Sequence, residues 1–128
     1  MTQAVWPVLA AGLLPVLCAG IAKWGAKDYD NHQPRAWMAH QSGRRARADA
    51  AQQNSFEAFP FFAAAVVLAL WSGADASEVT MWAWGFVVAR IAYIYCYVVD
   101  RATARSLWWA AAIAIVIRLY VMAALAGA

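Results

Sequence analysis

Four apolar runs, each close to the length that crosses a bilayer, constrain this chain more than any other feature. Residues 4–22 carry no charge, while 79–99 and 106–126 carry one each, Arg90 and Arg118. A hydrocarbon core about 30 Å thick takes about 20 helical residues. The remaining run is clean only over residues 58–71. It spans only if its helix begins near Arg44 and enters the membrane with a polar face holding Gln52, Gln53, Asn54 and Glu57. Charged residues make up 13% of the 128, about half of what a soluble domain uses, so the chain cannot clothe a soluble surface. Eight Trp, five Tyr and five Phe exclude disorder. The expected fold is all-α: an integral membrane four-helix bundle in a single domain, 1–128. Its spans cover about 4–23, 44–72, 79–99 and 105–126, with a polar loop at about 24–43. Pro7 and Pro15 are compatible with a membrane helix. No internal repeat supports a transporter.

Charge placement orients the bundle. The segment 23–49 and the turn 100–105 hold eight of the ten Lys and Arg, and the acidic linker 72–78 holds none. The positive-inside rule then puts both basic connections in the cytoplasm and both termini outside it. It also explains the sequence pI of about 9.1 without a nucleic-acid partner. Trp6, Trp24, Trp71, Trp82, Trp108 and Trp109 lie near span ends, where indole prefers the interface. No Lys or Arg precedes Trp6, so the first run reads as a mature helix rather than a secretory signal. Cys18 and Cys96 sit in apolar runs without metal-ligand spacing and read as small buried hydrophobes. No metal site is expected.

Three charges fall within the spans: Glu57, Arg90 and Arg118. A charge at the bilayer centre costs at least about 2.5–3.5 kcal/mol, so such groups face the bundle interior and pair. Glu57 lies about ten residues past the Arg44–Arg47 cluster, and Arg90 about ten before the second basic turn. Each is thus about 15 Å deep from the same side, and this matched depth predicts a Glu57–Arg90 pair. Arg118 is expected to snorkel or pair within the bundle. Asn54 and Glu57 are three apart, and Arg90, Tyr93 and Tyr97 recur at three and four, which puts each set on one helix face. With Arg105 and Ser106 opening the last helix, these residues predict a basic, hydrogen-bonding cavity in the cytoplasmic half. Such a cavity suits a small anionic ligand together with a lipophilic one from the bilayer.

The same residues carry a family resemblance. The run Arg47-Ala-Asp-Ala-Ala-Gln-Gln-Asn54-Ser-Phe-Glu57-Ala-Phe-Pro60, the run Arg90-Ile-Ala-Tyr93-Ile-Tyr-Cys-Tyr97, and Arg105-Ser106 together resemble the MAPEG superfamily. These are the membrane-associated proteins in eicosanoid and glutathione metabolism. The likeness covers about the whole chain and suggests a bacterial member in the inner membrane. It implies a homotrimer of four-helix bundles holding glutathione between subunits near the cytoplasmic face. It also implies a glutathione-dependent transferase or peroxidase acting on lipophilic electrophiles or lipid hydroperoxides. Carried over by position, Asn54, Glu57, Gln53, Arg90, Tyr93 and Tyr97 fall on the glutathione pocket. Arg105 falls on the thiol-activating arginine, with Ser106 beside it. The chain departs from the pattern at Ala50 and Gln53, where eukaryotic enzymes usually carry arginines. Trp109 stands where a tyrosine often occurs, Tyr93 where some members have histidine, and Lys23 where an arginine is expected. Those losses keep a second reading open: a non-enzymatic protein of the same fold, an accessory subunit or a lipid-binding module.

Overall fold

Turn chemistry sets the helix boundaries in the computed structural model, which describes residues 2–128. A 3-10 turn, Thr2–Ala4, leads into α1 (Val5–Lys23); α2 (Pro34–Ala39), α3 (Gly43–Trp71), α4 (Ala76–Val98) and α5 (Ala102–Ala126) follow. All but α2 are long and apolar enough to cross a membrane. The fold is all-helical among the described residues. Helix α4 begins three residues earlier than the sequence pattern suggested, because Asp75 accepts a hydrogen bond from the Glu78 backbone at 2.8 Å and caps the helix. Helix α3 is closed two residues past its end by Gly73, whose φ of 88° supplies the left-handed residue. Ala74 N–H bonds Ala69 O and Gly73 N–H bonds Leu70 O, the Schellman pattern. Helix α4 closes in the same way, with Arg101 N–H on Cys96 O and Asp100 N–H on Tyr97 O. Here the left-handed residue is Asp100, at φ 63°.

The polar segment between α1 and α3 is more structured than its composition implied. Pro34 occupies the first turn of α2, where a missing N–H costs nothing. Trp37 is buried beneath that short helix. Tyr29 meets it edge-on at 5.0 Å, Lys23 lies over Tyr29 at 4.8 Å, and Arg45 over Trp37 at 5.8 Å. The loop is thus pinned back onto the bundle by aromatic rings taken up by cations.

Helix α3 has 29 residues, about 44 Å at 1.5 Å each. It exceeds the hydrocarbon core, so its arginine-rich first turns lie in the polar region. Two of those arginines close neighbouring helices: Arg45 Nη1 donates to Ala22 O at 2.7 Å and Arg47 Nε to Val98 O at 3.2 Å. Guanidinium groups there satisfy orphan carbonyls and oppose the negative helix end.

Packing pairs α1 with α3 and α4 with α5, and α3 also packs on α4 and α5, so α3 is central. The main core is rich in small residues, including Ala65, Ala69, Ala83, Ala89 and Ala112, which let membrane helices approach closely. Gly12 does the same on α1, where an added Cβ would lie 3.3 Å from the Phe59 ring. Phe62 and Phe86 stack at 4.0 Å and 6° at the centre of the α3–α4 contact. Outward, Leu9, Leu13, Val67, Val88, Val121 and Leu125 are exposed, the apolar belt of a protein whose outer solvent is lipid.

Candidate functional site

A smaller core cluster, with Cys18, Ala51, Tyr93 and Ile94, lies toward the basic end of the bundle and borders a hollow between α3, α4 and α5. The hollow has a volume of about 220 Å3 and is lined by Asn54, Tyr93, Tyr97, Arg105, Ser106 and Trp109. Helix periodicity puts Tyr93 and Tyr97 on one face of α4. The Asp100 turn then brings α5 back so that its first turn, carrying Arg105 and Ser106, faces them. Five of the eight residues expected at a site are therefore assembled in one place.

Within it, cations and rings alternate. The Arg90 guanidinium lies 4.1 Å from the Tyr93 ring centre. Tyr93 meets Tyr97 edge-on at 5.7 Å and 87°. Arg105 covers the Tyr97 ring at 4.4 Å. Asn54 contributes a buried Oδ1 that has no hydrogen-bond partner. An unpaired acceptor in an apolar bundle is costly; this one is fully enclosed, so a ligand donor reaches it only when the Asn54 amide turns toward the hollow. Arg105 is the one charged residue lining the hollow, so the site offers a positive charge, two phenols, a hydroxyl and the Asn54 amide.

Three expected residues lie elsewhere. Arg90 is buried at 2% exposure behind Tyr93 and does not line the hollow. The Glu57–Arg90 pair does not form: Glu57 is exposed, and Arg90 Nη2 donates instead to Ser55 Oγ at 3.2 Å. Depth alone suggested that pair, and azimuth overturns it. Glu57 is two residues beyond Ser55, about 200° around α3, so a guanidinium that reaches Ser55 has Glu57 on the far side. Gln53 donates to Asp49 Oδ2 at 2.9 Å and lines a different, larger hollow. That one, about 570 Å3 between α1, α2 and α3, also takes in Lys23, Arg35, Gln52 and Phe56.

Some functional neighbours escaped the sequence reading. Ser55 had no motif of its own; the signal was the one hydroxyl in the polar stretch 52–57, at the depth expected for Arg90. Glu78, placed in the linker, pairs with Arg118 at 2.7 Å and accepts from Trp82 Nε1. Asp75 and Glu78 three apart form a helix-start signature that would have moved Glu78 into α4. Among the described residues no cluster of His, Cys, Asp and Glu could hold a metal.

The MAPEG family model matches residues 3–125. The chain belongs to the MAPEG family. It is thus a membrane protein whose apolar belt faces lipid. A search of curated proteins finds no significant match. Of the departures from the family pattern, Trp109 lines the hollow beside Arg105 and Ser106, a flat apolar wall where a phenol often stands. Gln53, by contrast, is held back along α3 by Asp49 and gives this hollow nothing.

Proposed function

We propose that this MAPEG protein is a glutathione-dependent membrane transferase or peroxidase that acts on lipophilic electrophiles or lipid hydroperoxides. The observation that carries this reading is the grouping of Arg105 with Asn54, Tyr97 and Ser106 around one hollow, beside an α5 surface of exposed Leu107, Trp108 and Trp109. Glutathione supplies a thiol that reacts as thiolate and is largely protonated near neutrality. A guanidinium is a lasting positive charge, and a cation beside the sulfur favours the thiolate over the thiol. The Asn54 amide, once turned toward the hollow, suits an N–H of the peptide, and the Ser106 hydroxyl and the Tyr97 phenol suit its carboxylates. The exposed apolar face of α5 gives a lipophilic partner a route from the bilayer to the same place.

A hollow of about 220 Å3 is below the range of about 300–1,000 Å3 usual for small-ligand sites. A homotrimer that holds glutathione between subunits supplies the missing wall, and it gives Gln53 and Glu57, which lie outside the hollow, a neighbour's site to serve. We place the protein in a bacterial inner membrane, with the basic end in the cytoplasm and both termini outside. The test is a titration of the purified protein in detergent with glutathione, read by thiolate absorbance and by conjugation of an aryl halide. Saturable signals that Arg105→Ala weakens at least about tenfold support the reading, since one removed charge contact is worth about 1.5–3 kcal/mol. No thiolate, and no turnover across several electrophiles and hydroperoxides, overturns it.

A second reading rests on Gln53 and Ala50. With no arginine at either position and Gln53 turned to Asp49, the site holds glutathione's carboxylates by few cations. A non-enzymatic accessory subunit or lipid-binding module fits that arrangement. Co-purification of a stoichiometric partner, with no detectable glutathione binding, separates it from the first.

A further inference from the structure

Arg90 is the most deeply buried charged side chain described, yet no carboxylate pairs with it; the one ion pair among the described residues joins Arg118 to Glu78. A lone guanidinium inside a membrane bundle is costly, and a leucine or methionine would fill the space without that cost. Its contacts show where the charge is used. Ser55 Oγ, itself anchored on Ala51 O at 2.8 Å, accepts one of its N–H groups. The guanidinium carbon lies over the Tyr93 ring, 4.1 Å from its centre.

We propose that Arg90 is a positioning residue for Arg105, acting through the rings of Tyr93 and Tyr97. The catalytic consequence rests on the function proposed above, but the geometry does not. Arg105 makes no side-chain hydrogen bond or ion pair among the described residues, so the Tyr97 face is what holds its guanidinium. Tyr97 is only partly buried and is steadied by the perpendicular Tyr93 ring. Tyr93 is buried and has its plane set by Arg90. Cation–ring attraction is strongest where water is excluded, and edge-to-face pairing fixes the angle between rings. A fixed cation at the buried end thus transmits order through two rings to a cation at the open end. The positions 90, 93 and 97 put the first three members on one face of α4, and the α4–α5 turn supplies the fourth.

The test uses the full chain in detergent, with arginine labelled by nitrogen-15 and the guanidinium Nε–H signals recorded. Arg105→Lys identifies the Arg105 signal, which the Tyr97 ring displaces upfield. In Arg90→Met that signal returns to the position of a free arginine; in Arg90→Lys, which keeps a cation over Tyr93, the displacement is restored. The same proteins are titrated with glutathione against pH. Arg90→Met raises the midpoint of thiolate formation by about one pH unit, the tenfold that a desolvated cation–ring contact provides. Arg90→Lys brings it back. Damage of a merely structural kind lowers the amplitude and leaves the midpoint in place. Should Arg90→Met fail to fold, Tyr93→Leu interrupts the ladder at its second member and is read in the same way. An Arg105 signal that stays displaced in a folded Arg90→Met or Tyr93→Leu protein overturns the proposal. A wild type without thiolate overturns the functional reading instead, and the arginine signals still decide the ladder.

Discussion

The partnerless oxygen of Asn54 sets stability against binding, and Asn54→Leu separates them. A buried acceptor without a partner costs about 1–3 kcal/mol, and leucine removes that atom while keeping the same branched heavy-atom skeleton, with two bulkier methyl groups at its end. Asparagine is also the poorer helix former by a few tenths of a kcal/mol, and position 54 is mid-helix in α3. Both effects favour the variant, so the ligand-free protein gains about 1–3 kcal/mol. Thermal unfolding in detergent should shift upward by several degrees at roughly 2–8 °C per kcal/mol. Glutathione changes the order. At a concentration one hundred times the dissociation constant, a ligand stabilises the native state by about 2.7 kcal/mol. If the Asn54 acceptor is worth tenfold in affinity, the same concentration is only ten times the variant's constant, and its stabilisation falls to about 1.4 kcal/mol. The variant starts higher and gains roughly half as much. A ligand-free Asn54→Leu protein that unfolds several degrees lower refutes the orphan-acceptor argument. A glutathione shift of unchanged size refutes the assignment of that acceptor to the ligand.

The Arg118–Glu78 pair is two-fifths exposed on both sides, so its Coulombic part is discounted to about 0.2–1 kcal/mol, but its two members are not equivalent. Glu78 is in the first turn of α4 and can reach water alone, whereas Arg118 starts eight residues inside the end of α5. Glu78→Ala should therefore cost about 1–3 kcal/mol, Arg118→Leu less than about 1, and the double variant should recover most of the loss; equal single losses that simply add would sink this asymmetry. At the α4–α5 turn, Asp100 holds φ 63°, so Asp100→Gly should be neutral to stabilising by up to about 1 kcal/mol, while Asp100→Val should lose about 1–2 kcal/mol and weaken Arg105-dependent activity, as measured by detergent melting and conjugation rate.

What the sequence could and could not reveal follows from which coordinate a pattern measures. Apolar run length and charge sorting report depth along the membrane normal, and the observed helices lie within a few residues of the expected spans. The i, i+3, i+7 pattern reports one helix's own face, and Tyr93 and Tyr97 indeed share a hollow with Asn54 and Arg105. Neither pattern reports the rotation of one helix against another. Glu57 and Arg90 match in depth and each sits on a recognisable face, but which face of α3 meets α4 is decided by the small residues along their contact and by the Phe62–Phe86 stack. That packing turns Ser55 inward and Glu57 outward. The arginine consequently has a hydroxyl and a ring where a carboxylate was expected. The consequence is chemical as well as architectural. A Glu57–Arg90 pair would have neutralised the buried charge within the bundle, whereas Arg90 on Tyr93 leaves it at the foot of a stack whose other end is Arg105. The basic loop arginines show the same limit: their number carries an expectation of orientation, but only the fold shows Arg45 and Arg47 closing α1 and α4 while Arg105 has no such carbonyl to close and faces the hollow.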